Sequence, residues 1–272
     1  MTIAAPFLLL NRTLLPVDEA GITPADRGFL LGDGLFETMR VSNGEVPLLD
    51  RHYQRLRQGC ALLRLPPPAL EDMRHDCRTL LEACTLHEGS IRFTLSRGPG
   101  PRGLTPPRTP QPTQLLTASP PPRTASAPVR VRISTHRRDA LSPLCQVKSL
   151  SVLPSILARL EAQEQGADDA LMLNHHGSVT EASAATFLAH DGTQLITPPL
   201  HDGVLPGISR ARLLEAGHCS ERSLTDDALT TLPAAWLVTA LSLTPIIAID
   251  DHPLPVWENE TERLRQFLYG PS

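Results

Sequence analysis

The stretch that decides the fold is residues 145–183, CQVKSLSVLPSILARLEAQEQGADDALMLNHHGSVTEAS. It carries Lys148, the only lysine among the 25 lysine and arginine residues of the chain. Both residue types solvate a protein surface, but only lysine has an amine that readily loses its proton and attacks a carbonyl. An arginine-rich composition can also leave one lysine by chance, so the surrounding sequence must decide between these two interpretations.

Composition is that of a globular protein without a nucleic-acid or membrane partner. The 272 residues suffice for one large domain or two ordinary ones, and 41% of them are hydrophobic. The net charge of −4 predicts no nucleic-acid partner. No apolar run reaches the roughly 18 residues of a membrane span, and the N-terminal apolar patch lacks the basic residues of a signal peptide. Five cysteines without a CxxC motif favour reduced thiols in a cytoplasm, and no metal site is predicted.

Periodicity and turn residues predict an α+β protein with two domains. Strands are predicted at 7–16 (with a hairpin turn at Asn11-Arg12), 35–41, 91–97, 113–118, 129–135, 168–174, 184–190, 194–200, 234–241 and 244–250. The polar run 175–178 is predicted to be the hairpin turn between the strands at 168–174 and 184–190. Helices are predicted at 50–63 (with Asp50 as N-cap), 70–86, 149–165 (with Gly166 as C-cap), 208–216, 225–233 and 258–270. The proline-rich run 118–128, ASPPPRTASAP, predicts a boundary: an N-terminal α/β domain at 1–120, a linker at 121–128 and a C-terminal domain at 129–272.

Two motif matches fail on their structural context. Residues 98–103, GPGPRG, fit the dinucleotide pattern G-x-G-x-x-G, but LTPPRTPQP follows where that motif needs a helix. We therefore predict a proline-rich loop there. Residues 207–209, Gly-Ile-Ser, resemble the nucleophile elbow G-x-S-x-G, but Ala211 replaces the second glycine and no strand leads directly into the segment.

Three other features could act together with Lys148. Glu181 lies at a predicted strand-to-turn position between apolar segments, although a lone glutamate is usually a solvated surface group. Gly207-Ile208-Ser209 opens a predicted helix, where free N–H groups and a hydroxyl can bind an anion, and it can equally be an ordinary first turn. Arg55 could bind a phosphate in bidentate fashion, or it could lie on a solvated helix face.

Together these stretches resemble the class-IV aminotransferases, the fold-type IV family of pyridoxal-phosphate enzymes. The matching stretches are DRGFLLGDGLFETMRV (26–41), HYQRL (52–56), VKSLSVLPSILARLEAQEQGADDALML (147–173), VTEAS (179–183), LPGISR (205–210) and VTALSLTPI (238–246). They occur in the family's order. The resemblance implies a smaller N-terminal α/β domain, a larger β-rich C-terminal domain with flanking helices, pyridoxal 5'-phosphate as cofactor, a small-molecule amino substrate and a homodimer.

The resemblance also implies a role for each matching position. Lys148 is the expected Schiff-base lysine and carries the substrate Cα proton. Glu181 is expected to pair with the pyridine nitrogen and keep it protonated, so that the ring withdraws electrons. The expected phosphate contacts are Arg55, Gly207, Ile208, Ser209 and the Ala240–Leu241 backbone, with Leu205 packed on the ring face. The expected substrate contacts are Phe36, Thr38, Arg40, Arg97 and Arg102.

The substrate-side residues favour 4-amino-4-deoxychorismate lyase among the family's reactions. Residues 36–40, FETMR, and 96–103, SRGPGPRG, resemble the lyase patterns FETxR and SRGxGxRGY, although Leu104 departs from the usual tyrosine. Arg102-Gly103-Leu104 also lacks the histidine of the Arg-x-His found in D-amino-acid aminotransferases. Two stretches favour those aminotransferases instead: KSLS at 148–151, and Thr239-Ala240-Leu241, which lacks the asparagine of many lyases.

The sequence therefore leaves three hypotheses in order. The first is the lyase, which eliminates pyruvate from aminodeoxychorismate and leaves 4-aminobenzoate for folate synthesis. The second is a D-amino-acid or related aminotransferase that transfers an amino group to a 2-keto acid. The third is a non-catalytic binding protein on the same scaffold.

Overall fold

The computed structural model describes residues 5–122 and 127–270, which fall into two compact units. One unit comprises Met1–Thr124 with Val147–Ser151, and the other comprises Ala125–Gln146 with Val152–Ser272. Residues 123–126 of the predicted linker, and the first four residues of the N-terminal apolar patch, lie outside the described residues. The domain division at 121–128 stays a prediction. Among the described residues, no helix has the length and apolar character needed to cross a bilayer.

The first unit is an antiparallel sheet covered by helices. Its strands follow the spatial order β2-β1-β5-β4-β3. They are β1 (Phe7–Leu10), β2 (Thr13–Pro16), β3 (Gly34–Val41), β4 (Gly89–Ser96) and β5 (Thr113–Ser119), and the helices are α1 (Arg27–Leu31), α2 (Leu49–Leu63) and α3 (Leu70–Ala83). Leu35, Met39 and Val41 of β3 and Ile91, Phe93 and Leu95 of β4 are apolar and buried on one face, and they share one core with apolar residues of α2 and α3. Their burial is the main favourable term in folding this unit.

Most of the predicted elements of this unit are confirmed. Asn11 and Arg12 form the hairpin turn with φ of 49° and 69°, the left-handed region that two-residue hairpins require. The predicted helix at 50–63 is also present, but its predicted N-cap is wrong. Leu48 is the N-cap and makes no side-chain cap, and Asp50 lies in the first turn, where its carboxylate still faces the positive end of the helix dipole.

Residues Val147–Ser151 extend the first sheet along the outer edge of β3. The N–H of Phe36 donates to the carbonyl of Lys148 at 2.9 Å, and the N–H of Leu150 donates to the carbonyl of Gly34 at 2.9 Å. The predicted helix at 149–165 therefore begins late, at Leu153, because the residues before it pair with β3.

The second unit is built on a mixed sheet with the order β11-β10-β9-β12-β13-β6-β7-β8, and β14 pairs with β13. The strands are β6 (Val129–Arg138), β7 (Asp169–Asn174), β8 (Val179–Ala182), β9 (Thr186–His190), β10 (Leu195–Thr197), β11 (Cys219–Glu221), β12 (Ala234–Val238), β13 (Leu243–Ile249) and β14 (His252–Pro253). The helices are α4 (Leu153–Glu164), α5 (Ile208–Glu215), α6 (Asp226–Leu229) and α7 (Glu258–Tyr269). Since β8 also pairs with β9, the strands from β9 to β8 close into a ring.

Two local predictions in this unit need correction. The polar run 175–178 does not connect β7 directly to β9, because β8 forms between them and pairs with both strands. Glu181 is therefore a strand residue rather than a strand-to-turn residue. The C-cap of α4 is Gln165, and the predicted cap Gly166 follows it with φ of 76°.

Candidate active site

Lys148 lies beside one face of β3. The side chains of β3 alternate: Phe36, Thr38 and Arg40 are half-buried on one face, and the residues between them are buried on the other. Lys148 is half-buried, and its Nζ lies 4.4 Å from the centroid of the Phe36 ring. The structure therefore brings the predicted amine next to a predicted substrate contact.

Arg92 of β4 shares this face, and its role was not predicted from the sequence. The strand register pairs Thr38 with Arg92 and Phe36 with Thr94. The Cζ atom of Arg92 lies 3.9 Å from the centroid of the Phe36 ring, a cation–π contact. Burial lowers the pKa of the Arg92 guanidinium, which still carries its charge at neutral pH. We call Phe36, Thr38, Arg40 and Arg92 the open face.

Two further substrate candidates of the first unit are Arg40, on the open face, and Arg102. The Nη2 of Arg40 is 3.9 Å from the Oε2 of Glu88. Arg102 is exposed on the loop at 98–112, which contains no helix and confirms that GPGPRG is not a dinucleotide motif. Next to it Leu104 is 83% exposed.

Arg97 does not fit its predicted role as a substrate contact. Its side chain donates from Nε to the Oδ2 of Asp33 at 2.7 Å and from Nη2 to the carbonyl of Leu63 at 2.8 Å, and the residue is 6% exposed. Arg27 donates to the same oxygen of Asp33 at 2.9 Å. Burial raises the pKa of Asp33, but the hydrogen bonds from Arg97 and Arg27 outweigh it and hold the pKa below its ordinary value. Arg97 thus belongs to a buried ionic cluster of the scaffold.

Arg55 projects from α2 toward the core face of β3. Its Nε donates to the Oε1 of Glu37 at 2.8 Å, and its Nη2 donates to the Oε2 at 2.5 Å. The Nδ1 of His52 contacts the same Oε2 at 2.7 Å. Burial raises the pKa of Glu37, but the hydrogen bonds from Arg55 and His52 outweigh it, so the pKa lies below its ordinary value. The predicted phosphate ligand is therefore held in a side-on ion pair.

In the second unit, Glu181 is fixed through both of its oxygens. Its Oε1 lies 2.9 Å from the Nη1 of Arg138, and its Oε2 accepts the backbone N–H of Leu205 at 2.9 Å. The Nε of Arg138 donates to the carbonyl of Gly203 at 2.6 Å, which anchors the arginine in turn. Charge-assisted hydrogen bonds of this kind set the orientation of a carboxylate. The predicted contacts Glu181 and Leu205 are thus brought together.

The start of α5 lies against the turn at 239–242. Gly207 is the N-cap of α5 and leaves the first turn without a side-chain cap. The hydroxyl of Ser209 donates to the carbonyl of Thr239 at 2.7 Å. The Oγ1 of Thr239 accepts the N–H of Leu241 at 3.0 Å. The contact between Ser209 and Thr239 brings together the predicted phosphate segments, Gly207–Ser209 and Ala240–Leu241. The N–H of Leu241, a predicted phosphate donor, is hydrogen-bonded to the Thr239 hydroxyl.

Gly207 also lies close to the strand pair that carries Glu181. A Cβ at this position would lie 2.8 Å from the Oγ1 of Thr186. Thr186 pairs with Glu181 between β8 and β9. Glycine at this position lets α5 begin beside this strand pair without displacing the Thr186 hydroxyl.

Comparison with known proteins decides the family. A model of the family amino-transferase class IV matches residues 34–249. The chain belongs to the class IV aminotransferases. This membership confirms an enzyme, rather than a non-catalytic scaffold, and pyridoxal phosphate as its cofactor.

Individual relatives of this class IV enzyme differ in the reactions for which they are named. A Methanocaldococcus jannaschii protein provisionally named branched-chain-amino-acid aminotransferase is 31% identical over 254 residues, covering 89% of this chain and 88% of its own. A Mycobacterium tuberculosis bifunctional aminodeoxychorismate lyase and D-amino acid transaminase is 28% identical, covering 85% and 86%. The crystal structure of a Legionella pneumophila protein provisionally named 4-amino-4-deoxychorismate lyase is 31% identical, with a TM-score of 0.83, and covers 90% and 93%. The expected two-domain fold-type IV architecture is confirmed.

Sequence reasoning missed four residues that hold the predicted ones in place: Glu37, His52, Arg138 and Thr239. Glu37 and His52 carried a signal, since both lie inside motifs whose neighbours were singled out. Glu37 also falls on the apolar positions of an alternating strand, where a charged residue requires a partner. Thr239 likewise lies inside a quoted motif, next to Ala240 and Leu241. Arg138, at the end of β6, acts through tertiary contacts for which the sequence offers no comparable pattern.

The cysteines of this class IV enzyme offer no alternative nucleophile. All five are free thiols. Burial raises the pKa of Cys60 and of Cys77 to about 12, and it also raises the pKa of Cys145, next to the lysine segment. A thiol that stays protonated at neutral pH is unreactive. The cytoplasmic location inferred from these cysteines stays a prediction.

Proposed function

We propose that this class IV enzyme is a 4-amino-4-deoxychorismate lyase, which eliminates pyruvate from its substrate and leaves 4-aminobenzoate, a precursor in folate synthesis. The observation that carries the proposal is the open face. The lyase substrate is a ring with two carboxylates. On the open face Arg92 supplies a positive charge beside the flat apolar surface of Phe36, and Arg40 supplies a second charge on the same face of β3. Arg102, on the exposed loop, is a third candidate for a carboxylate contact.

The described residues fit pyridoxal phosphate by the chemistry of their donors. Lys148 would supply the amine for the aldehyde carbon, and Glu181 would supply a carboxylate for the ring nitrogen, next to Leu205. The phosphate is assigned to Arg55 and to the first turn of α5, which has no side-chain cap. The bound cofactor supplies a protonated ring that withdraws the electron pair left when the substrate loses its proton.

Lys148 is the group that moves the proton. Its Nζ would take the proton from the substrate carbon that bears the amino group. The C–O bond to the enolpyruvyl group then breaks as the ring becomes aromatic, and the proton returned to that fragment completes pyruvate.

Product analysis tests the lyase directly. The purified enzyme is loaded with pyridoxal phosphate and incubated with 4-amino-4-deoxychorismate in the absence of any keto acid. We expect pyruvate and 4-aminobenzoate in equal amounts. Failure to release pyruvate unless a keto acid acceptor is added would rule the lyase out.

A D-amino-acid aminotransferase is the second candidate, for a specific reason. The segment KSLS at 148–151 is closer to those enzymes, and the Mycobacterium tuberculosis relative is named for both activities. The exposed Leu104 argues against it, because an aliphatic side chain cannot hydrogen-bond a substrate carboxylate. Stoichiometric amino transfer from D-alanine to 2-oxoglutarate, at a rate above that of pyruvate elimination, would favour this second function.

A homodimer is part of the same proposal. The face of α4 away from the sheet exposes Leu153, Ile156, Leu157 and Leu160. These positions follow helical i, i+3, i+4, i+7 spacing, and an exposed apolar stripe of this kind is typical of an interface between proteins. We expect a dimer in sedimentation experiments with the wild-type enzyme. L157E should shift it toward the monomer, and a wild-type enzyme that sediments as a monomer would contradict the dimer.

A further inference from the structure

The core face of β3 contains a carboxylate. Leu35, Met39 and Val41 on this face are almost fully buried, and Glu37 among them is 1% exposed. An ionised carboxylate in such surroundings is strongly destabilising unless it is both paired and hydrogen-bonded. The question is therefore what this residue does that an apolar residue could not do.

Two residues of α2 supply the partners. His52 and Arg55 are one helical turn apart, are 1% and 9% exposed, and both point at Glu37. The two carboxylate oxygens meet three nitrogen atoms at 2.5 to 2.8 Å. Replacing a buried ion pair by apolar residues is often neutral or stabilising. Stability alone therefore does not account for three buried ionisable groups at one place.

The geometry of the pair offers a different account. Two parallel hydrogen bonds from Nε and Nη2 fix the plane of the Arg55 guanidinium. His52 contacts the Oε2 atom of the same Glu37 carboxylate and so helps to fix the carboxylate in place.

We propose that Glu37, backed by His52, is the positioning residue for Arg55, and that it fixes the guanidinium in the orientation in which it binds the cofactor phosphate. This inference rests on the proposed phosphate role of Arg55. It gives the second residue of the FETMR segment a task different from that of its neighbours, which lie on the open face.

The test compares the affinity of the apoenzyme for pyridoxal phosphate with its affinity for pyridoxal, which has the same aldehyde and ring but no phosphate. In E37Q we expect the affinity for pyridoxal phosphate to fall by about 10- to 100-fold, the loss for misplacing one charge-assisted hydrogen bond. The affinity for pyridoxal should stay unchanged, so the ratio of the two affinities, which measures the preference for the phosphorylated form, should fall. A general loss of structure would weaken both ligands equally.

Two further variants guard against a failure to fold. E37D keeps the charge and shortens the side chain by one methylene, so it should fold. Its ratio of affinities for pyridoxal phosphate and pyridoxal should fall less than that of E37Q. D33N changes another carboxylate of the same unit, which also accepts from two arginines. It should lower thermal stability and leave the preference for pyridoxal phosphate unchanged.

Arg55 itself separates the two possible failures. R55Q should lose most of the preference for pyridoxal phosphate, and adding E37Q to R55Q should change it no further. If R55Q keeps the wild-type preference, the phosphate role of Arg55 is wrong. If R55Q loses the preference while folded E37Q and E37D both keep it, or if both Glu37 variants weaken the two ligands equally, the positioning role of Glu37 is overturned.

Discussion

The residues of the FETMR motif (36–40) lie alternately on the two faces of β3, and the two faces have different functions. Phe36, Thr38 and Arg40 are half-buried on the open face, close to the segment of Lys148. Glu37, which lies between them in sequence, points to the opposite face and pairs with α2. Strand alternation alone produces this separation. Open-face variants should therefore change chemistry or substrate affinity, and core-face variants should change cofactor affinity or stability.

Lys148 on the open-face side should give the largest effect. K148R keeps the positive charge but removes the amine, so we expect activity to fall by about 10⁴-fold or more, since both covalent bonding and proton transfer are lost. Thermal unfolding should be nearly unchanged. Turnover by the purified variant checks this, with R78K, an exchange at an exposed position, as a control that should retain full activity. Wild-type turnover in K148R would show that Lys148 is not the catalytic amine.

Glu181 should give the next largest effect. E181Q keeps the shape of the side chain but loses the charge that pairs with the ring nitrogen, so kcat should fall by roughly 100-fold, as for loss of one electrostatic contact at a reaction centre. Steady-state kinetics at saturating cofactor measures this. The matched control is E221Q, which changes an exposed carboxylate that also pairs with an arginine, and its kcat should be unaffected. Equal losses in both variants would argue against a specific role of Glu181.

Arg92 and Arg97 are five residues apart, but we assign Arg92 to substrate binding and Arg97 to the stability of the fold. R92Q removes an open-face charge, so we expect KM to rise by about 10- to 100-fold with little change in the unfolding temperature. R97Q leaves Asp33 and a buried carbonyl without this donor, so the free energy of unfolding should fall by about 2–4 kcal/mol with KM nearly constant. Kinetics and urea unfolding of both variants decide between the assignments. The reverse pattern would restore Arg97 as a substrate contact.

Acid unfolding should show the smallest effect. The pKa of Asp33 in the folded chain lies below its ordinary value of 3.8. Its contribution to stability is therefore complete above that value and is lost as the pH falls through the lower, folded-state pKa. The free energy of unfolding should decline more gently with falling pH in D33N than in the wild type. Urea unfolding between about pH 5 and pH 2 measures both slopes, and parallel slopes would contradict the assignment.

The sequence was sufficient for the fold class and for the residues that carry chemical signals. A single amine, a proline-rich loop and a strand with strict alternation are local patterns, and local patterns predict local structure. The family resemblance extended these patterns to the cofactor and to the expected roles of Glu181 and Ser209.

The sequence could not predict contacts that depend on tertiary packing. Residues 149–151 have helical periodicity, yet they pair with β3, because the edge of that sheet offers hydrogen-bond partners that periodicity does not register. Arg92 and Arg97 are the same residue type in neighbouring positions of the sequence. Only the folded structure shows that Arg97 is the one buried against Asp33. Tertiary context decides such cases.

Covalent mapping of the cofactor is the most direct test of the central claim. The holoenzyme is reduced with borohydride, digested, and its peptides are identified by mass spectrometry. We expect the reduced cofactor on the peptide that contains Lys148, and no stable attachment in K148R. Attachment to the N-terminal amine in place of Lys148, or an active enzyme from which the cofactor is washed away after reduction, would contradict the account.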